Sequence, residues 1–445
     1  MATELPVRIV QNPSRHFTRV QDLVVQGPDV IVGFDLCGED RIRARLYGRG
    51  VPALKGTEHK ADLAAKPGEV RAAAARLARL WQELFVGFRP GTGDGRPVPG
   101  RPELPYAVLT DLSGEPEDEL HAAVEELACA GSDLLHHTLL GGTGRQVELF
   151  REFLVHTLAD DRLRIRFDSD LFIPWPMLSL LPSDLEDRRD EDRRDGLPGL
   201  FDRFLGYRHQ IEQTGGSYPW LGHRPEPPHL PVVSLNHDTG IDRRAATRAA
   251  EVASLLACGT TFVERTTRRE LVAALSDPDL SDQLMYFWCH GSFLPNGAEA
   301  PYLAVRLSDS STIDAQLVRE RRRGFGDGTP FQPFVLLNAC HAGVPEGDVD
   351  RAFLGRALIE HGARGVLGPQ IAMPQPFAAE YALAFLPRYL GGGETAGEIV
   401  HALARRFADE FRNPLGFAYA LHCGMDARLE RAHISAAGQD QEVAV

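Results

Sequence analysis

Lysine is nearly missing from this chain: among 445 residues it occurs only at Lys55, Lys60 and Lys66. With none after Lys66, the phosphate-cradling pattern GxxxxGK[ST] cannot occur, and a P-loop nucleotide site is excluded. Arginine carries almost all the positive charge, which a GC-rich coding bias explains. Paired cysteines are missing too. Cys37, Cys129, Cys258, Cys289, Cys340 and Cys423 form no CxxC or CxxxxC spacing, which argues against a zinc or redox motif and fits free thiols in a reducing compartment. No apolar run approaches the ~18 residues of a membrane-spanning helix, and the opening "MATELPVRIV" lacks a basic segment followed by an apolar core. A cytoplasmic protein with no membrane partner is expected. An excess of cations is absent as well, the formal charge being -14; a nucleic-acid groove needs a concentrated basic face, so no direct nucleic-acid partner is expected.

What is present is ordinary globular composition, 43% hydrophobic and 25% charged, so the chain folds as a soluble protein. Its length exceeds one ordinary core and predicts two domains, or one domain built from two related halves. From Val7 to about Leu54, short β segments such as "VIVGFDL" and "RIRARLYG" alternate with turn residues. "PGEVRAAAARLARLWQELF" (Pro67 to Phe85) predicts a helix with proline at its mouth. The glycine- and proline-rich stretch from Phe88 to Pro105 predicts an exposed loop, and two amphipathic helices follow it. Arg162 to Leu178 alternates like a hairpin arm and ends in an aromatic turn, and Leu185 to Gly196 predicts a solvated loop. From Pro231 the pattern is regular: apolar strands without alternation, separated by helices. That predicts a mostly parallel sheet covered on both faces. Thr267 and Glu270, at capping-box spacing, fix one helix start.

Two of these strands, "MYFWCH" and "FVLLNAC", break off on residues able to do chemistry, His290 and Cys340. In an open α/β sheet, ligands meet the protein beyond the carboxyl ends of strands, because helices wall off both faces. Small residues follow each: "HGS" after the first, "CHAG" after the second. Glycine lets a backbone approach a ligand closely and leaves N–H groups free, as an oxyanion hole requires. A histidine beside a cysteine can take the thiol proton and return it to a leaving amine, so the pair suffices in kind for acyl transfer.

The local sequences resemble the CHAT-domain cysteine proteases, the bacterial branch of the caspase and separase clan. "YFWCHGSF" and "FVLLNACHAG" are similar to that family's two catalytic segments, "DLFIPWPML" to its "lPWEll" segment, "LGRALIEHGARGVLGPQ" to the helix and strand after the cysteine, and "FAYALHCG" to its closing strand. The histidine lies 340 − 290 = 50 residues before the cysteine, about the caspase separation. The resemblance runs from about Val70 to Leu429 and is closest from Pro231; Pro176 departs from it, standing where the family usually has glutamate.

The resemblance implies an α/β caspase-like three-layer sandwich, preceded by a smaller β-rich and helical half, itself a degenerate protease-like unit. The expected division is 1–160 for that scaffold, 161–432 for the protease domain and 433–445 for a flexible tail. His290 would be general base and acid, Cys340 the nucleophile, and the backbone N–H groups of Gly291 and Cys340 the oxyanion hole. No cofactor is implied. The partners would be a protein substrate and an activating sensor or regulatory protein, in bacterial antiphage defence or programmed cell death.

Each reading has a plainer competitor. Cys340 could be a buried structural thiol, and His290 a histidine held at a strand end. Cys289 and His341 neighbour the pair, but alternation turns neighbours to opposite faces, so both are read as structural. His136 and His137 lack further ligands at metal spacing. Glu346, Asp348 and Asp350, just after the nucleophile, either line a pocket for a basic side chain or form a solvated loop. Arg319 to Pro330 is either a self-cleavage site or an exposed loop. At the level of function, a silent caspase-like pseudoenzyme serving as an interaction module and a small-molecule amidase or transferase stand beside the endopeptidase.

Overall fold

The uninterrupted apolar runs lie at the centre of the molecule, as burial on both faces of a sheet requires. In the computed structural model the described residues are 27–38, 40–51, 59–87, 109–186, 195–215, 228–241, 247–296, 299–325, 329–340 and 353–431, the side chains of 295, 296, 299–301, 340 and 353 being left aside. The strands are Val30–Leu36 (β1), Ile42–Tyr47 (β2), His59–Leu63 (β3), Arg164–Ser169 (β4), Gln210–Thr214 (β5), Val232–His237 (β6), Thr261–Arg265 (β7), Leu284–Asn296 (β8), Glu299–Arg306 (β9), Thr312–Ile313 (β10), Phe334–Cys340 (β11), Gly365–Pro369 (β12) and Tyr419–His422 (β13). All belong to a single sheet. Its order is β10-β9-β8-β11-β12-β13-β5-β4-β1-β2-β3, with β6 and then β7 attached at β8.

Two parallel blocks make up this sheet. β7, β6, β8, β11 and β12 run one way, and β13, β5, β4 and β1 run the other; the antiparallel pair β12 and β13 joins them. The last strand of the chain is therefore the seam between the early and late strands. Helices cover both faces. One core joins Leu284, Tyr286, Trp288, Phe334 and Leu336 to Phe377, Tyr381 and Phe385 of the helix Gln375–Gly391. On the opposite face Met285, Phe287, Cys289, Val335 and Leu337 meet Leu271, Val318 and Leu358 from three other helices. Four consecutive buried side chains, Phe334 to Leu337, each contribute about 1.5–3 kcal/mol by leaving water, which fixes the position of β11 and its final residue.

The expected capping box is present: the Thr267 hydroxyl accepts from the Glu270 N–H at 3.3 Å, and the Glu270 carboxylate accepts from the Thr267 N–H at 3.0 Å. Three expectations are corrected. β8 does not end at His290; it runs on to Asn296, because β9 returns antiparallel and pairs with His290 onward. The alternating stretch at 164–169 is not a hairpin arm but an interior strand, parallel to β1 on one side and β5 on the other. Its polar residues face partners within the sheet, Arg166 donating to Glu212 at 2.8 Å and Asp168 accepting from Thr214 at 3.0 Å. The third concerns Arg319 to Pro330, which begins inside the helix Ala315–Arg322. Arg322 there is buried and stacks over Phe325 and Phe331.

The aromatic turn is as expected. Trp175 begins a short 3-10 turn and stacks 3.7 Å from Phe167 and 5.4 Å from Phe34, ring centre to ring centre. Pro176 is buried against Gly206, where a β-carbon would stand 2.8 Å from that of Pro176. The segments read as early strands before 27, and the loops at 88–105 and 187–194, lie outside the described residues. Among the described residues no helix is long and apolar enough to cross a membrane.

Candidate active site

β8 exchanges neighbours along one edge. Leu284 to Trp288 pair with β6, and from His290 onward the partner is β9. β6 ends at His237, and the chain turns out of the sheet at Asp238, beside His290. The carboxyl ends of parallel strands are where α/β proteins hold ligands. On the other edge of β8, the register runs from Phe334 opposite Leu284 to Cys340 opposite His290. The two residues singled out by sequence are thus cross-strand neighbours.

The chain leaving β6 supplies a group that sequence reasoning missed. Asp238 Oδ2 lies 2.8 Å from His290 Nδ1. As the carboxylate can only accept, the neutral ring carries its proton on Nδ1 and keeps its lone pair on Nε2. The other oxygen, Oδ1, accepts from the Gly240 N–H at 2.7 Å, and the Asp238 N–H donates to the Trp288 carbonyl at 2.9 Å. The Asp238 side chain is 17% exposed and that of His290 40%, so the imidazole keeps one edge open while its other edge is held. The available sequence signal was "NHDTG", an aspartate followed by turn residues at a strand end, which reads equally well as a simple turn.

Below the open end, the network around Asn338 fixes β11. Asn338 is buried; its amide donates to the Tyr286 hydroxyl at 3.3 Å and to the Ala378 carbonyl at 3.2 Å, and its oxygen accepts from the Tyr419 hydroxyl at 2.8 Å. Both functions of the amide are satisfied, as a buried polar group demands. β8, β11, β13 and a covering helix are thereby tied together two residues before Cys340.

Cys289 is fully buried in the core on the opposite face, in keeping with a structural reading. Gly291 is buried and stands opposite Val305 of β9. Arg306 stands opposite His290 in the same ladder. His136 lies 3.0 Å from Asp184, and His137 3.8 Å from Asp133. Among the described residues no group of three or more His, Cys, Asp or Glu is placed to hold a metal. His341, Glu346, Asp348 and Asp350 lie outside the described residues.

Residues 236–423 match the CHAT domain family model, so the resemblance drawn from the quoted stretches is shown over that span. Among curated proteins, one described as a "probable protease" from Vitiosangium sp. (strain GDMCC 1.1324) is 27% identical over 136 residues, which is 31% of this chain and 17% of that protein. Among solved structures, two of the Saccharomyces cerevisiae separase–securin complex are similar, with TM-scores of 0.44 and 0.43 and identities of 9% and 10%. Each similarity covers 88% of this chain and 30% of the other. The chain therefore spans less than a third of each of these relatives.

Proposed function

From the CHAT match over 236–423 as premise, we propose that this chain is a cysteine endopeptidase acting through His290 and Cys340. The observation that carries the proposal is their register: the cysteine that closes β11 stands opposite His290, beside which β8 changes neighbour from β6 to β9. His290 Nε2 takes the Cys340 proton, and the thiolate attacks the scissile carbonyl carbon, whose oxygen becomes an anion. The backbone N–H groups of Gly291 and Cys340 hold that anion. The imidazolium then returns its proton to the amine as the C–N bond breaks, leaving a thioester on Cys340. Water, losing a proton to the same imidazole, hydrolyses the thioester and frees the second product. No cofactor enters.

The substrate in this reading is a protein. Glu346, Asp348 and Asp350 form its pocket for a basic side chain, residues 1–160 serve as scaffold to the protease domain at 161–432, and a sensor or regulatory protein activates the enzyme in the bacterial cytoplasm, in antiphage defence or programmed cell death. The test is labelling by a cysteine-directed acylating probe. Wild type is expected to acquire one label that Cys340→Ala lacks. Identical labelling of the two proteins would overturn the proposal and favour a catalytically silent interaction module.

A further inference from the structure

We infer that Asp238 is the positioning residue of this site, so that the working unit is a chain of three side chains, Cys340, His290 and Asp238, and not a dyad. The inference rests on the peptidase reading for its consequence, but its geometry is independent of that reading. Nothing in the sequence pattern of the two catalytic strands points to residue 238; it follows a third strand, 52 residues before the histidine.

An imidazole acts as a base through Nε2 only while its proton stays on Nδ1, and in water the neutral ring exchanges between the two forms. A carboxylate within hydrogen-bond reach of Nδ1 removes that freedom, fixes the ring plane, and stabilises the imidazolium that forms when the thiol is deprotonated. Asp238 Oδ2 is so placed, 2.8 Å away. The bond is charge-assisted and therefore roughly twice the strength of a neutral one.

The carboxylate is itself held by a preformed turn. Its second oxygen accepts from the Gly240 N–H at 2.7 Å, its own N–H donates to Trp288, and its carbonyl accepts from the Ile241 N–H at 3.1 Å. The next residue ties the turn to the chain after β9, the Thr239 N–H donating to the Ser308 hydroxyl at 2.9 Å. Ser308 follows β9, so β6, β8 and β9 all brace the aspartate. A residue with only a capping role needs one of its oxygens; here both are used, one for the turn and one for the histidine.

That double use makes Asp238→Asn decisive. Asparagine has one acceptor and one donor group, yet two N–H donors face this side chain. Either Gly240 loses its acceptor, or the amide NH2 confronts Nδ1 and drives the imidazole proton to Nε2, where it blocks the base. The variant keeps the size of the original side chain, so the fold should survive, which a thermal melt verifies.

The experiment has two arms on the full chain. In the first, the 15N-edited imidazole spectrum is recorded, with His290 assigned among the 16 histidines by the signals lost in His290→Gln. Wild type is expected to carry its neutral-form proton on Nδ1, and Asp238→Asn to shift it toward Nε2. In the second, the rate of Cys340 alkylation by a peptidyl acyloxymethyl ketone, whose carboxylate leaves as the thioether forms at the methylene carbon, is compared, and Asp238→Asn is expected to be about 10²- to 10³-fold slower, toward the low end of what a correctly protonated base supplies. A wild-type His290 protonated on Nε2, or an Asp238→Asn rate within about threefold of wild type, would overturn the inference. A wild type that the probe never alkylates would count against the peptidase reading, while the spectrum would still decide the role of Asp238.

Discussion

Cys340, the last residue of β11, stands opposite His290 of β8 in a parallel ladder, while Cys289, one residue before that histidine, is buried on the other face. Cys289 and His290, as neighbours on one strand, thus face opposite sides of the sheet. Cys289→Ala is expected to leave acylation at Cys340 within about twofold of wild type and to cost about 1 kcal/mol for the small cavity it leaves. Urea denaturation and the labelling rate check both parts. Loss of labelling with a native melting profile would assign Cys289 a part in the chemistry.

The seam between the two blocks of the sheet carries a buried charge. Glu212 of β5 is fully buried; burial pushes its carboxyl upward, opposed by the Arg166 guanidinium 2.8 Å away and by the Met425 N–H. Arg166→Met would leave that carboxylate without its counter-ion, which in buried sites costs about 3–5 kcal/mol. Restoring neutrality with Arg166→Met and Glu212→Gln together is expected to recover much of the loss. Denaturation of the single and double variants checks this, and equal stabilities for the two would show that the pair matters little.

Two buried histidines, His209 and His422, and the partly buried His401 set the acid limit of the fold. Burial holds His209 down to about 3, and His401 and His422 to about 4, from the ordinary 6.5. Each is therefore neutral in the folded protein and charged in the unfolded chain between pH 4 and 6.5, so the unfolded state binds more protons there. Stability then rises with pH, and acidification below 6.5 lowers it, approaching about 4 kcal/mol per pH unit for three protons as an upper bound. Urea midpoints measured from pH 7.5 to 4.5 should fall steeply, and replacing His422 by glutamine should flatten the curve. A flat profile across this window would contradict the assignment.

The sequence showed those parts of the molecule whose physics is local. Runs such as "LMYFWC" and "FVLLNAC" could only be strands buried on both faces, and Thr267 with Glu270 marked a helix start by side chains three residues apart. β5 and β4 were hidden because their charges are satisfied inside the sheet, by Arg166 with Glu212 and Thr214 with Asp168, so apolar continuity never appeared. Asp238 was hidden for a related reason. Its partner is 52 residues away, and only the change of neighbours along β8 brings the two together. The same change explains why His290, read as a strand end, is an interior residue of a longer strand.

The most direct measurement compares new protein N-termini in cells expressing wild type and Cys340→Ala under conditions that activate the wild type. An endopeptidase centred on Cys340 should yield position-specific cuts, repeated in one or a few proteins, that disappear in the variant. Indistinguishable N-terminal profiles from the two cell populations, with both proteins folded and equally abundant, would contradict it.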